Sequence, residues 1–207
     1  MGEREIFGNE DLQWIGQIRA GQRTSFSHLV RKYQKSLLRV SLRFVKDLAT
    51  AEDVVQESFM KAYERLDSFE GRASFKSWLF QIAVNTAKNK LRERRDGHSD
   101  LDSVQLSIPS VAEESVSHQA LSKLIHKAVE ELPFRQKTAL VLRIFEDMSF
   151  KEIAEIMQCP YDTAKANYRH ALLKLKDEFE MDTELKHWNF DEGGLMELQK
   201  KRTEVET

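Results

Sequence analysis

Residues 75–95 read FKSWLFQIAVNTAKNKLRERR. Phe75, Trp78, Leu79, Phe80 and Ile82 fill the first half with enough apolar bulk to anchor a helix. Asn85, Thr86 and Asn89 put amides and a hydroxyl in the middle. The second half carries Lys88, Lys90, Arg92, Arg94 and Arg95 against one acid, Glu93. Aromatics, amides and cations on one helix suit contact with unstacked bases and phosphates. They equally suit an amphipathic helix with a solvated basic end, so this stretch implies a helix and leaves its use open.

The surrounding chain has few breakers, 8 Gly and 3 Pro in 207 residues, and is rich in Leu, Ala, Lys, Glu and Arg. That composition predicts an all-α protein long enough for one or two domains. The single cysteine, Cys159, excludes an internal disulfide framework and a multi-cysteine zinc site, and fits a reducing, cytoplasmic setting. No run of about 18 apolar residues is present to span a bilayer, and the start lacks the basic-then-apolar pattern of a secretion signal. The net charge is −2, but the charge is segregated. Arg72 to Arg95 is basic, whereas Asp96, Asp100, Asp102, Glu113 and Glu114 face no Lys or Arg between Asp96 and Ala120. Such asymmetry points to local nucleic-acid contact whatever the total.

Upstream, Leu12, Ile15 and Ile18 predict a helix that ends near Arg19, with Gly21 as its stop. Thr24 or Ser25 is the expected cap of a second helix, whose core stripe is Phe26, Leu29, Val30, Tyr33, Leu37, Val40 and Phe44. Thr50 and Asp53 read as a capping box opening a third helix with Ala51, Val54, Val55, Phe59, Ala62 and Leu66 inward. Its other face shows Glu52, Asp53, Gln56, Glu57, Met60 and Lys61, which suits plain solvation or docking of a basic partner. In the loop 67–72, Phe69 has no stripe to join, so it either stacks on a base or tucks under the loop.

Downstream, residues 96–117 are rich in Ser and Asp and without period, which reads as an acidic flexible linker between two helical domains. Leu121, Leu124, Ile125, Ala128, Val129 and Leu132 mark a helix ended by Pro133, and Phe134, Thr138, Val141, Leu142 and Phe145 mark the next. Ser149-Phe150-Lys151-Glu152 is a capping box. A short helix, the turn Gln158-Cys159-Pro160 and a second helix with Lys165, Ala166, Arg169 and His170 outward fit a helix-turn-helix, though paired helices also occur in bundles that bind nothing. The tail 181–207 is acidic, with Gly193-Gly194 breaking any helix.

Three segments resemble bacterial RNA polymerase sigma factors. AEDVVQESFMKAY (51–63) is similar to their core-polymerase-binding segment, FKSWLFQIAVNTAKNKLR (75–92) to their melting and −10-reading segment, and residues 131–165 to their −35-reading domain. Two domains with a short linker resemble the extracytoplasmic-function subfamily of the sigma-70 family. The resemblance implies region 2 over 10–95, a linker over 96–117, region 4 over 118–180 and an acidic tail over 181–207. It implies that Asp53, Gln56 and Glu57 meet the coiled coil of the polymerase largest subunit. Lys61, Arg65, Phe69, Phe80, Asn85 and Lys88 would surround the flipped −10 base and the single strand. Lys165, Asn167, Arg169 and His170 would enter the double-stranded −35 major groove. An anti-sigma factor is the further implied partner, with no cofactor, no metal, no membrane insertion and no enzymatic activity. Tyr161-Asp162 departs from the small residues usual at that turn, which implies an atypical or weak −35 contact. A dimeric helix-turn-helix regulator is the other candidate, but it leaves Phe75 to Arg95 and the acidic face at 53–57 unexplained. The tail carries one more expectation, that it folds onto a basic DNA-binding surface.

Overall fold

The structure is a computed structural model describing residues 3–96 and 127–181, with side chains described over 10–94 and 127–178. Every regular element among the described residues is a helix. The chain divides into two compact units at Leu106/Ser107. That division falls inside the expected linker 96–117, which, like residues 118–126 and all but the first residue of the tail 181–207, lies outside the described residues.

The first unit comprises α1 (Glu3–Arg19), α2 (Phe26–Val45), α3 (Leu48–Glu64) and α4 (Phe75–Asp96), with 3-10 turns at Arg23–Ser25 and Leu66–Ser68. Its core includes Ile15, Leu29, Leu37, Val40, Phe44, Val54, Leu79 and Phe80. The stripe expected on α2 holds, with Leu29, Tyr33, Leu37, Val40 and Phe44 buried and Phe26 and Val30 at its edge. On α1 the register is one residue off. Leu12 is 55% exposed, and Asp11 is turned inward instead. The Asp11 carboxylate accepts from the Tyr33 hydroxyl at 2.5 Å and from Lys32 Nζ at 2.7 Å, so the buried charge is met on both oxygens. Burial first, then this hydrogen bond and the charges of Asp11 and Glu10, push the Tyr33 phenol well above its ordinary pKa.

Two expected caps are replaced. Ser25 has helical angles and makes no capping bond; its hydroxyl donates to Gln17 Oε1, because the 3-10 turn runs straight into α2. At α3 the cap is Asp47, not Thr50. Asp47 is extended (φ −124°, ψ 146°) and its carboxylate accepts the Thr50 amide at 2.8 Å. Gly21 does end α1, at φ +98°, with backbone bonds from Gly21 to Ile18 and from Gln22 to Gln17.

In the second unit residues 127–130 are helical, and Pro133 caps α5 (Phe134–Phe145). The expected box opens α6 (Phe150–Met157): the Ser149 hydroxyl accepts from the Glu152 amide, and the Glu152 carboxylate accepts from the Ser149 amide. Gln158 turns the chain in the left-handed region at φ +50°, and α7 (Tyr161–Met181) follows. Leu140, Leu142, Ile153, Ala164, Tyr168, Ala171 and Leu175 form the core. Phe134 and Phe145, expected to mark the apolar stripe of α5, are half-buried at its edge.

Candidate polymerase and nucleic-acid interfaces

The side-chain pairs that join α3 to α4 run in opposite order along the two helices. Asp47 pairs with Arg94, Glu57 with Lys90, and Thr86 accepts from Lys61. The helices are therefore antiparallel, and they share a charged seam. Lys61 Nζ lies 2.6 Å from Glu57 Oε1 and 3.3 Å from Thr86 Oγ1; Lys90 Nζ lies 3.4 Å from Glu57 Oε2. The hydrogen bond from Lys61 holds the Glu57 carboxyl below its ordinary value, helped by the charges of Lys61 and Lys90 against partial burial. At the far end Arg94 bonds the Thr50 hydroxyl, the Val45 carbonyl at 3.3 Å and the Asp47 carboxylate at 2.6 Å. Burial raises the Asp47 carboxyl, but the Thr50 amide and hydroxyl and the Arg94 guanidinium outweigh it and leave its pKa lowered.

This seam divides the expected polymerase face. Asp53 and Gln56 are exposed, whereas Glu57 is half-buried and committed to two lysines of the seam. Beside Gln56 lies a feature that the sequence pattern did not announce: an apolar groove between α2 and α3. Phe26, Val30, Val55, Phe59, Met60 and Tyr63 line it, with Arg31 and Lys35 on its α2 side. Met60 is 56% and Tyr63 38% exposed. Off-stripe apolar residues on both helices, Leu38 and Tyr63 among them, were the available signal. Helical spacing sets Asp53 on the ridge between Met60 and Glu57.

On α4 the first half is rooted in the core, with Phe75, Leu79, Phe80, Ile82, Ala83, Val84 and Ala87 buried. Asn85, Lys88, Asn89 and Arg92 are exposed. Arg65, which caps the C-terminus of α3, is also exposed. The two aromatics expected at the strand surface are not on it. Phe80 is fully buried, because its position on α4 faces the core. Phe69 is 5% exposed and tucks under its loop against Phe75 (5.9 Å between centroids) and Trp78 (5.1 Å). Neither ring offers a face to a base in this arrangement. Lys61, held by Glu57 and Thr86, is likewise not directed at solvent alone.

On α7, Lys165, Arg169 and His170 are exposed along one outward face. Asn167 is half-buried, and its Nδ2 donates to the Thr163 carbonyl at 2.8 Å, so half of its amide serves its own helix. Tyr161 packs edge-on against Phe150 (6.3 Å), and Asp162 lies in the first turn, where a negative charge suits the helix dipole but not an approaching phosphate. No cluster of three or more His, Cys, Asp or Glu residues capable of holding a metal occurs among the described residues. No described helix is long and apolar enough to cross a membrane.

Comparison with known proteins matches both units. Residues 29–96 match the family model for Sigma-70 region 2, and residues 122–175 match that for Sigma-70, region 4. The RNA polymerase sigma-H factor of Pseudomonas aeruginosa is 38% identical over 169 residues, covering 76% of this chain and 87% of that protein. The ECF RNA polymerase sigma-E factor of Escherichia coli K12 is 36% identical over 167 residues, 75% of this chain and 87% of that one. Among solved structures, the sigma factor RpoE bound to the anti-sigma factor NepR from Bartonella quintana is similar at a TM-score of 0.62 and 26% identity, covering 76% of this chain and 98% of that one. CnrH, solved with the cytosolic domain of CnrY, shares the fold at a TM-score of 0.65 and 22% identity, over 84% of this chain and 99% of that one. The region 2 match accounts for the first unit, which a stand-alone helix-turn-helix regulator leaves unexplained. With the two regions in order on two helical units, the chain belongs to the extracytoplasmic-function sigma factors of the sigma-70 family.

Proposed function

We propose a division of labour for promoter-specific initiation in which α3 docks core RNA polymerase, α4 and the loop before it handle the opened −10 strand, and α7 reads the −35 duplex. The observation that carries this reading is the pairing of α3 with α4. One helix turns Asp53 and Gln56 outward beside an exposed apolar groove, and its antiparallel neighbour turns out Asn85, Lys88 and Arg92. Acid and amide at the rim of an apolar surface suit a partner helix with basic and apolar residues, such as the coiled coil of the largest polymerase subunit. An exposed amide flanked by cations suits a base edge and its phosphates. Glu57 then contributes from the seam, and Phe69 and Phe80 shape the surface from beneath rather than stack on bases. Lys165, Arg169 and His170 supply the −35 contacts, with Asn167 secondary.

In this reading the chain catalyses no reaction of its own and works where polymerase and chromosome are. An anti-sigma factor that covers α3 is the natural regulator, supported by the anti-sigma factor NepR bound to the Bartonella sigma factor. The acidic tail would fold onto a basic DNA-binding surface and weaken promoter contact, so truncation after Met181 should raise transcription in a purified system.

The test compares wild type, Asp53→Ala and Asn85→Ala in core-polymerase binding and in transcription from a promoter library. Asp53→Ala weakens core binding. Asn85→Ala spares core binding and blunts −10 selection. If neither variant changes its own readout, the assignment of the two faces fails.

A further inference from the structure

The loop between α3 and α4 is held from a helix outside the region 2 match, which begins at residue 29. Gly21 ends α1 and turns the chain away, leaving Arg19 at the last helical position with its side chain reaching across to the loop. Arg19 Nη2 donates to the carbonyls of Leu66 at 2.8 Å, Asp67 at 3.4 Å and Phe69 at 2.5 Å. These carbonyls belong to the 3-10 turn Leu66–Ser68 and the residue after it, and the Leu66 carbonyl also accepts the Phe69 amide at 3.1 Å. A guanidinium meets several of them at once through charge-assisted bonds.

The consequence for the loop is geometric. Phe69 is gripped twice, by Arg19 at its carbonyl and by Phe75 and Trp78 at its ring. Ser74 is gripped on the other side, where its hydroxyl accepts from the Ser77 amide at 3.0 Å. Between these two anchors run Glu70, Gly71, Arg72 and Ala73, the first three exposed, with Gly71 at φ +72° reversing the chain. Four residues between two anchors have little freedom, so the position of Phe69 sets where Glu70 to Ala73 lie. These residues adjoin the N-terminus of α4, the helix that presents Asn85 and Lys88.

We propose that Arg19 is a positioning residue for −10 selection: its three bonds to the backbone of Leu66, Asp67 and Phe69 hold the loop 70–73 where the opened strand meets it. The proposal rests on the reading above, in which α4 and this loop face that strand. Arg19 touches no nucleotide; it acts through the loop backbone.

The experiment uses the full chain with core polymerase. Transcription is measured on templates that differ only at the −10 element, together with core affinity, the unfolding midpoint and amide hydrogen exchange. Arg19→Ala should lower the ratio of transcription from the preferred over substituted −10 elements about tenfold, since displacing a reading surface by about 1 Å costs up to about 100-fold. Core affinity should not move, and faster exchange should be confined to the loop. Arg19→Lys, which keeps the charge and a donor, should restore most of the ratio. An unchanged ratio overturns the proposal, as does an equal loss on every template, which marks a merely structural role. If Arg19→Ala does not fold, Arg19→Gln decides: an unaltered ratio with a released loop also overturns it. Asn85→Ala runs alongside. If Asn85→Ala blunts −10 selection and Arg19→Ala does not, only the positioning role fails; if Asn85→Ala has no effect, the reading of the surface fails and the proposal with it.

Discussion

α4 and α7 are nearly equal in length, 22 and 21 residues, and both bury one face while turning cations outward. They anchor those cations differently. On α4 the charges are woven into the fold: Lys90 pairs with Glu57 on α3, and Arg94 ties the Asp47 cap, Thr50 and the end of α2 together. In its later half Asn85, Lys88, Asn89, Arg92 and Glu93 are exposed, as is Arg94, which is held by Asp47. On α7, Lys165, Arg169 and His170 stand on an exposed face, and the first turn carries Asp162. One helix is a shaped surface with a few free groups; the other is a sparse charged one. A surface that must hold an extruded base needs shape, because stacking and base-edge bonds are short-ranged. A helix entering a groove gains much of its affinity from phosphates at longer reach.

Several substitutions would break or sharpen this contrast. The largest effect is expected where α4 is rooted. Phe80→Ala removes a fully buried ring and should cost about 3–5 kcal/mol of stability, read by denaturant unfolding. A loss below about 1 kcal/mol would mean that α4 is not held by its core face. Next comes base reading. Asn85→Ala should cost about 1–3 kcal/mol of discrimination between −10 variants, measured by competitive transcription. Arg169→Ala should cost the same range at the −35 element if it reads a base edge, and should leave −10 preference alone. An Arg169→Ala variant that changes −10 preference would blur the two surfaces into one.

Smaller again is the phosphate term. Lys88→Ala should weaken promoter binding by the holoenzyme evenly across sequences and reduce the salt slope by about one. Lys90→Ala should reduce it less, because Lys90 already faces Glu57. Equal slopes would show that the seam does not occupy Lys90. The smallest effect is at Arg94. Its ion pair is part-exposed, so Arg94→Ala should cost about 0.2–1 kcal/mol at neutral pH. The pH sign is defined. Asp47 titrates below its ordinary value in the folded state, so its contribution is present above the unfolded carboxylate range and is lost as pH falls through the lowered value. Arg94→Ala should therefore flatten the acid limb of a stability–pH profile and leave the alkaline limb as it is.

The all-helical fold, the α2 stripe, the Ser149 box and the stop at Gly21 were legible because each rests on residues within one turn of each other. The Thr50–Asp53 box was not, since Asp47 precedes it and competes for the same Thr50 amide. Leu12 misled for a related reason. The stripes 12–15–18 and 11–15–18 share two residues, and hydrophobicity favours the first; Asp11 is buried because Tyr33 and Lys32, distant in sequence, neutralise it. The candidate site shows the same split. Asn85 and Lys88 stand exposed as their pattern implied, while Phe69 and Phe80 lie in the core.

Periodicity, breaker residues and charge segregation were sufficient for two helical units, a basic helix and an outward acidic face, and the resemblance of three segments implied the family. These are local or compositional signals, and they survive without knowledge of what packs where. Packing alone settled which exposed-looking groups are free. Glu57, Lys61 and Lys90 neutralise one another across two helices, Phe69 is drawn under its loop by Phe75 and Trp78, and Arg19 reaches a loop nearly fifty residues away in sequence. Each depends on partners brought near by the bundle, and no spacing along the chain encodes that proximity. At Phe75 to Arg95, the sequence supplied the helix and its cations; the antiparallel contact with α3 selected the few that remain unpaired and exposed.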